Sequence, residues 1–165
     1  FKGPAAYIAD LDRSRAFYEG LLGLTVLRVM SRGENPIAVA YTAGLSIWLA
    51  SDAYASLFGD SSLAPQDLRG GNWENTFETD GYEAIYAQLQ AAGAEFLYEP
   101  RTLPWGQRGF RVYDPDGHII DIAETMTACV RRQAAEGKPL EQISETSGFT
   151  LADVRRMVTG AAARA

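Results

Sequence analysis

The chain repeats itself, and that repetition limits its folds more than any other feature. Asp10 to Gly23 spans thirteen positions, and so does Asp80 to Gly93. Each interval starts at the end of a β-rich run, contains one helical stretch with paired large side chains (Phe17-Tyr18, Ile85-Tyr86), and stops at a glycine. Residues 5–10 read as a strand and residues 11–22 as an amphipathic helix, with Leu11, Phe17, Leu21 and Leu22 on one side and Gly23 closing it. Three β-rich runs follow, from Leu24, Pro36 and Leu45, separated by SRGEN and by Ala43-Gly44. After a polar connection from Gly59 to Gly71 the order recurs: NTFET, a helix over residues 82–92, then AEFLYE, GFRVYD and HIIDIAE, with Gly117 answering Gly44. The predicted fold class is α+β, two βαβββ modules at about 4–50 and 72–124 within one domain of residues 1–124. Helices would lie outside a concave, sheet-lined cavity, and a ligand would occupy that hollow.

Beyond Glu124 the pattern changes to a helical extension, residues 125–165, with stretches at 126–135, 140–146 and 151–159. Thr150 with Asp153 is set to cap the last of them. LEQISETSGFTLADVRRM resembles half of a helix-turn-helix, yet the extension has only six basic residues, Arg164 among them, against four acids. That surplus is small for DNA, so packing or dimer contacts are expected here. A formal charge of −6 argues the same way and suits a neutral or cationic small ligand. The single cysteine, Cys129, excludes an internal disulfide and a thiolate metal cluster. With no apolar run of bilayer length and no signal-peptide pattern at the start, the expected location is the cytoplasm, with further residues upstream of Phe1.

Two segments carry a resemblance. DLDRSRAFYEGLLGL (from Asp10) and WGQRGFRVYDPDGHIIDIAE (from Trp105) are similar to the hallmark segments of the vicinal oxygen chelate superfamily, which comprises glyoxalases, bleomycin-resistance proteins and extradiol dioxygenases. The resemblance covers about residues 5–124 and implies either metal-dependent chemistry or metal-free sequestration of a drug, since one fold hosts many activities. It implies metal ligands on the first and last strand of each module. By offset these fall at Glu74 and Asp121 in module two, but at Pro4 and Trp48 in module one, neither of which binds a metal. Two carboxylates without imidazole suit zinc or iron poorly, which leaves no cofactor or a weakly bound divalent ion.

Glu74, Thr76 and Glu78 share one strand face, and Asp121 alternates with Ile120 and Ile122. Glu74 and Asp121 are the candidate catalytic and metal-binding groups; alternatively they pair with Arg108 or Arg111. His118 opens the last strand on the face opposite Asp121 and reads as a turn-edge or surface residue. Trp48 and Trp105 are the expected ligand-binding walls, joined by Thr76, Arg108 and Arg111, with Trp105 favoured because it sits in a Pro-Trp-Gly loop. The leading expectation is a homodimer that holds a small organic molecule without a tightly bound metal. The alternatives are a divalent-metal-dependent lyase, isomerase or dioxygenase using Glu74 or Asp121, and a ligand-sensing regulator using the C-terminal helices.

Overall fold

The computed structural model describes residues 3–160; Arg164, counted in the tail's charge, lies outside them. Each half of the repeat forms a four-stranded mixed sheet of the same strand order. The first contains β1 (Ala5–Ile8), β2 (Val26–Arg32), β3 (Asn35–Tyr41) and β4 (Ser46–Leu49), ordered β1-β4-β3-β2, with α1 (Leu11–Arg15) following β1. The second contains β5 (Glu74–Glu78), β6 (Phe96–Thr102), β7 (Arg108–Tyr113) and β8 (Ile119–Ala123), ordered β5-β8-β7-β6, with α3 (Tyr82–Ala91) after β5. The matched spacing of the two halves extends to their torsions. Gly23 and Gly93, which end the two helices, both have φ +70°, and Gly44 and Gly117, before the last strands, both have φ +87°. These left-handed conformations suit glycine because any side chain there is strained.

Three local features differ from expectation. The first helix is α-helical only to Arg15 and widens into a π-helical turn over Ala16–Leu21, closed by the Leu22 N–H donating to the Phe17 carbonyl at 3.0 Å. That wider turn buries the consecutive side chains Phe17 and Tyr18 together. A further helix, α2 (Ala50–Phe58), runs straight on from β4, and a 3-10 turn (Ser61–Leu63) interrupts the polar connection. β1 starts at Ala5 and its exposed-buried alternation matches that of β5 when Ala5 is set against Glu74. The module-one counterpart of Glu74 is therefore Ala5 rather than Pro4.

By packing, the described residues fall into two units. The first comprises the residues up to Glu74 with Gln88–Glu95 and Tyr113–Ile119. Its core lies on one face of the first sheet, where Ile8, Val39, Tyr41 and Ile47 are buried along with Phe17 and Tyr18. The second comprises Asn75–Ala87, Phe96–Val112 and the residues from Ile120 onward. There Tyr86, Phe96 and Phe110 pack edge to face, with ring centroids 5.2 to 5.8 Å apart. The extension, α4 (Met126–Ala135), α5 (Leu140–Ser147) and α6 (Leu151–Thr159), has a small core of its own in Val130, Ile143 and Val154. Thr150 caps α6 as expected, its hydroxyl oxygen accepting from the Asp153 N–H at 3.2 Å.

Candidate functional site

The open face of the first sheet is built in rows. Strand register sets Tyr7, Trp48, Ala38 and Met30 side by side across the four strands, and beside them Ala5, Ser46, Ala40 and Arg28. Ala38 in the first row and Ala5, Ser46 and Ala40 in the second are small, while Trp48, Met30 and Arg28 around them are large, which hollows the sheet. The result is a cavity of about 810 Å³ whose lining includes Ala5, Ala40, Ser46, Trp48, Met30 and Arg28. That volume lies within the range of small-molecule sites. Trp48 stands against Tyr7 edge to face at 6.4 Å, and its buried indole N–H meets no acceptor among the described residues. A buried donor without an acceptor is costly, so a ligand that supplies one gains by filling it.

The corresponding row of the second sheet is polar. Tyr98 pairs with Arg111 in the β6–β7 ladder. Backbone bonds from Asp114 to His118 and from Glu124 to Arg108 bracket the next ladder and set Arg111 opposite Asp121. The Thr79 N–H, donating to the Ala123 carbonyl at 2.9 Å, puts Thr76 at Asp121's other side. Thr76, Asp121, Arg111 and Tyr98 thus answer Tyr7, Trp48, Ala38 and Met30. Asp121 is buried and paired with Arg111 at 3.5 Å, and the Arg111 guanidinium lies 5.3 Å from the centre of the Tyr98 ring. Glu74 is exposed at the start of β5 and falls in the first unit, whereas Thr76, Arg111 and Asp121 fall in the second.

Trp105 and Arg108 stand near α4. The Trp105 indole donates to Gln107 Oε1 at 2.7 Å, and Gln107 Nε2 donates to Glu78 at 2.9 Å and to the Glu124 carbonyl at 2.6 Å. Glu124 is buried and accepts from the Arg108 N–H at 2.8 Å and from Arg132 at 2.6 Å, while Arg132 also donates to the Gly106 carbonyl. The Arg108 side chain reaches Glu136 at 3.5 Å. Gly106 has φ +92°, and a Cβ there would lie 2.6 Å from the Gln133 amide nitrogen. Trp105 keeps 37% of its surface exposed, but its polar end serves the anchor between this loop and α4. Neither of the two cavities described here is lined by Trp105.

The DPDG turn holds a cluster that sequence reasoning missed. His118 is at the turn edge as expected, but it is buried, with Nδ1 2.8 Å from Asp114 Oδ2. Asp114 also accepts from the Tyr18 hydroxyl at 2.6 Å and from the Asp116 and His118 N–H groups. Burial alone would lower the His118 pKa, but the hydrogen bond and charge of Asp114 outweigh it and raise it. For Asp114 burial acts upward, and the bonds from His118 and Tyr18 hold its pKa below the usual carboxylate value. Asp116 accepts from the Ala9 N–H, Arg13 and Ser14, at 3.2, 2.6 and 3.2 Å. These two carboxylates clamp the turn to the start of α1 across about a hundred residues of sequence. A second cavity, about 590 Å³, lies beside this clamp and is lined by Arg13, Arg69, Tyr113 and Asp116 among others.

A family model described as a glyoxalase-like domain matches residues 1–127. The chain belongs to this family. Two bleomycin resistance proteins, from Geobacillus stearothermophilus and Staphylococcus aureus, are each 26% identical to it over 125 residues, which is 72% of this chain and 92% of theirs. Among solved structures, a protein of unknown function from Agrobacterium tumefaciens is similar at 27% identity and a TM-score of 0.67, covering 76% of this chain and 93% of that one. A glyoxalase-related enzyme from Fulvimarina pelagi is similar at 25% identity and a TM-score of 0.61, covering 77% and 88%. The fold is that of the vicinal oxygen chelate superfamily with added C-terminal helices.

Members of this superfamily that use a divalent ion need several donors converging on it, and the donor set here does not fit. Module one offers Ala5 and Trp48 where ligands are implied, and Asp121 in module two is engaged by Arg111. Among the described residues no group of three or more His, Cys, Asp or Glu side chains is arranged to hold a metal. Among the described residues, also, no helix is long and apolar enough to cross a membrane.

Proposed function

We propose that this glyoxalase-like protein binds a small organic molecule on the open face of its first sheet, without a tightly bound metal, and so sequesters its ligand. The observation that carries this reading is the cavity of about 810 Å³ formed where Ala38 lies between Trp48 and Met30 and small Ala5, Ser46 and Ala40 line the row beside them. A ring offers a large contact area at little entropic cost, and Met fits irregular apolar surfaces, so the pair suits a planar, largely apolar guest. The chemistry of the donor set supports the metal-free part. Similarity to bleomycin resistance proteins supports drug-sized ligands as the class.

Calorimetric titration of chelator-treated protein with methyl 2-naphthoate tests the reading. One site per chain is expected, with the same affinity after nickel, manganese or zinc is added. Binding seen only after metal is restored would overturn the metal-free reading.

A further inference from the structure

The lining of the cavity on the first sheet is uneven in charge. Among the described residues it includes one charged side chain, Arg28, and no carboxylate. Arg28 is unusual in this chain. Among the described residues most arginines face a carboxylate: Arg13 meets Asp116, Arg15 Glu19, Arg32 Asp52, Arg69 Glu95, Arg108 and Arg132 Glu136, Arg111 Asp121, Arg155 Glu141 and Arg156 Asp153. Arg101 stacks on Tyr98 at 3.6 Å and Arg131 donates to the Met157 carbonyl. For Arg28 the partner is the Met30 sulfur at 3.5 Å, a weak acceptor. This chain carries a net charge of −6, so leaving an arginine beside a hollow without an acid is not a matter of short supply.

The second donor is the Trp48 N–H, buried and without an acceptor. Trp48 is on β4 and Arg28 on β2, two strands and two residues apart, which is roughly 12 Å between backbones from standard sheet spacings. Between them lie Ala38, Ala40 and Ser46, and no side chain large enough to stop a flat ring from bridging the two.

We infer that the guest is a planar aromatic compound carrying a hydrogen-bond acceptor for Trp48 and an acidic group, such as a carboxylate, for Arg28. The inference rests on the reading of this cavity as a ligand site, and it differs from the neutral or cationic guest that net charge suggests. Guanidinium and carboxylate match in geometry as well as charge, and the carboxylate gains two parallel bonds.

The test is a set of three probes with the same ring system, titrated calorimetrically into the whole chain: 2-naphthoate, methyl 2-naphthoate and 2-naphthylmethylammonium. The expected order is acid, then ester, then amine, with about a ten-fold span from acid to amine, the size of a partly solvated charge effect counted in both directions. Arg28→Gln should collapse the acid-to-amine ratio to near one, and Arg28→Lys should keep most of it. Trp48→Phe, which retains a ring and removes the donor, should weaken the ester about five-fold, the loss of one ordinary hydrogen bond. Equal binding of all three probes, or tighter binding of the amine, would overturn the inference while leaving the cavity a ligand site. Binding of none of them would overturn both.

Discussion

Trp48 and Asp121 hold the same place in two sheets of the same strand order, each four residues after a glycine of φ +87°. Around Trp48 the row reads Tyr7, Trp48, Ala38, Met30; around Asp121 it reads Thr76, Asp121, Arg111, Tyr98. Duplication preserved the backbone and let the side chains part. In the first sheet the alanine opposite the large residue leaves a hollow. In the second an arginine of nearly opposite character fills the equivalent place and neutralises a buried acid. The hollow proposed as the ligand site therefore follows from what Ala38 lacks, and the polar row from what Arg111 supplies.

The strongest way to break the comparison is Arg111→Leu. Removing the partner leaves Asp121 as a buried charge, and a loss of about 3 kcal/mol is expected in urea unfolding. A cost under 1 kcal/mol would mean that the polar row is not held by that pair. Next in size is Trp48→Ala, expected to weaken methyl 2-naphthoate about thirty-fold, as for a central aromatic contact, with little change in Tm because Trp48 is only half-buried. A fall of many degrees would assign Trp48 to the core instead.

The glycines sharpen the comparison at the level of the backbone. Gly44 and Gly117 share a φ, but a Cβ on Gly44 meets nothing within 4 Å whereas one on Gly117 lies 2.9 Å from the Arg69 side chain. Gly44→Ala should cost about 1 kcal/mol of left-handed strain, and Gly117→Ala about twice that or more. Equal costs would remove the claim that the second turn is packed more tightly. The smallest effect expected is a slope with pH. A raised His118 pKa means that its stabilisation is complete below the unfolded value of about 6.5 and is lost as pH rises through the folded one. The lowered Asp114 pKa acts in the other direction, its contribution fading as pH falls through the folded value. Unfolding followed by circular dichroism should show stability declining above about pH 6.5, and His118→Gln should flatten that decline. An unchanged slope in the variant would assign it to other groups.

Much of this was legible in the sequence. The duplication, the strand order implied by it and the Thr150 cap all follow from glycine spacing and turn residues, because those are local properties. The helix α2 was passed over although Ala50, Ala53, Tyr54 and Leu57 repeat at helical spacing and Gly59 stops them, because the apolar end of β4 runs into this stretch without a turn residue between. The offset used to place Glu74's counterpart slipped by one because β5 is one residue longer than β1, while a single residue, Thr79 or Ala9, separates each strand from its aspartate. The clamp of Asp114 and Asp116 on α1 was beyond reach, since its partners lie 96 to 107 residues away and no spacing encodes them. Trp105 was favoured over Trp48 because a loop tryptophan needs a partner; that partner is Gln107.

The most direct measurement uses the three tryptophans as reporters. In a spectrum of the indole N–H groups of nitrogen-15-labelled, chelator-treated protein, the account predicts that methyl 2-naphthoate shifts the resonance assigned to Trp48 by its absence in Trp48→Phe. The resonances of Trp73 and Trp105 should barely move. A Trp105 resonance that shifts while that of Trp48 stays still would contradict the account and move the site to the loop beside α4.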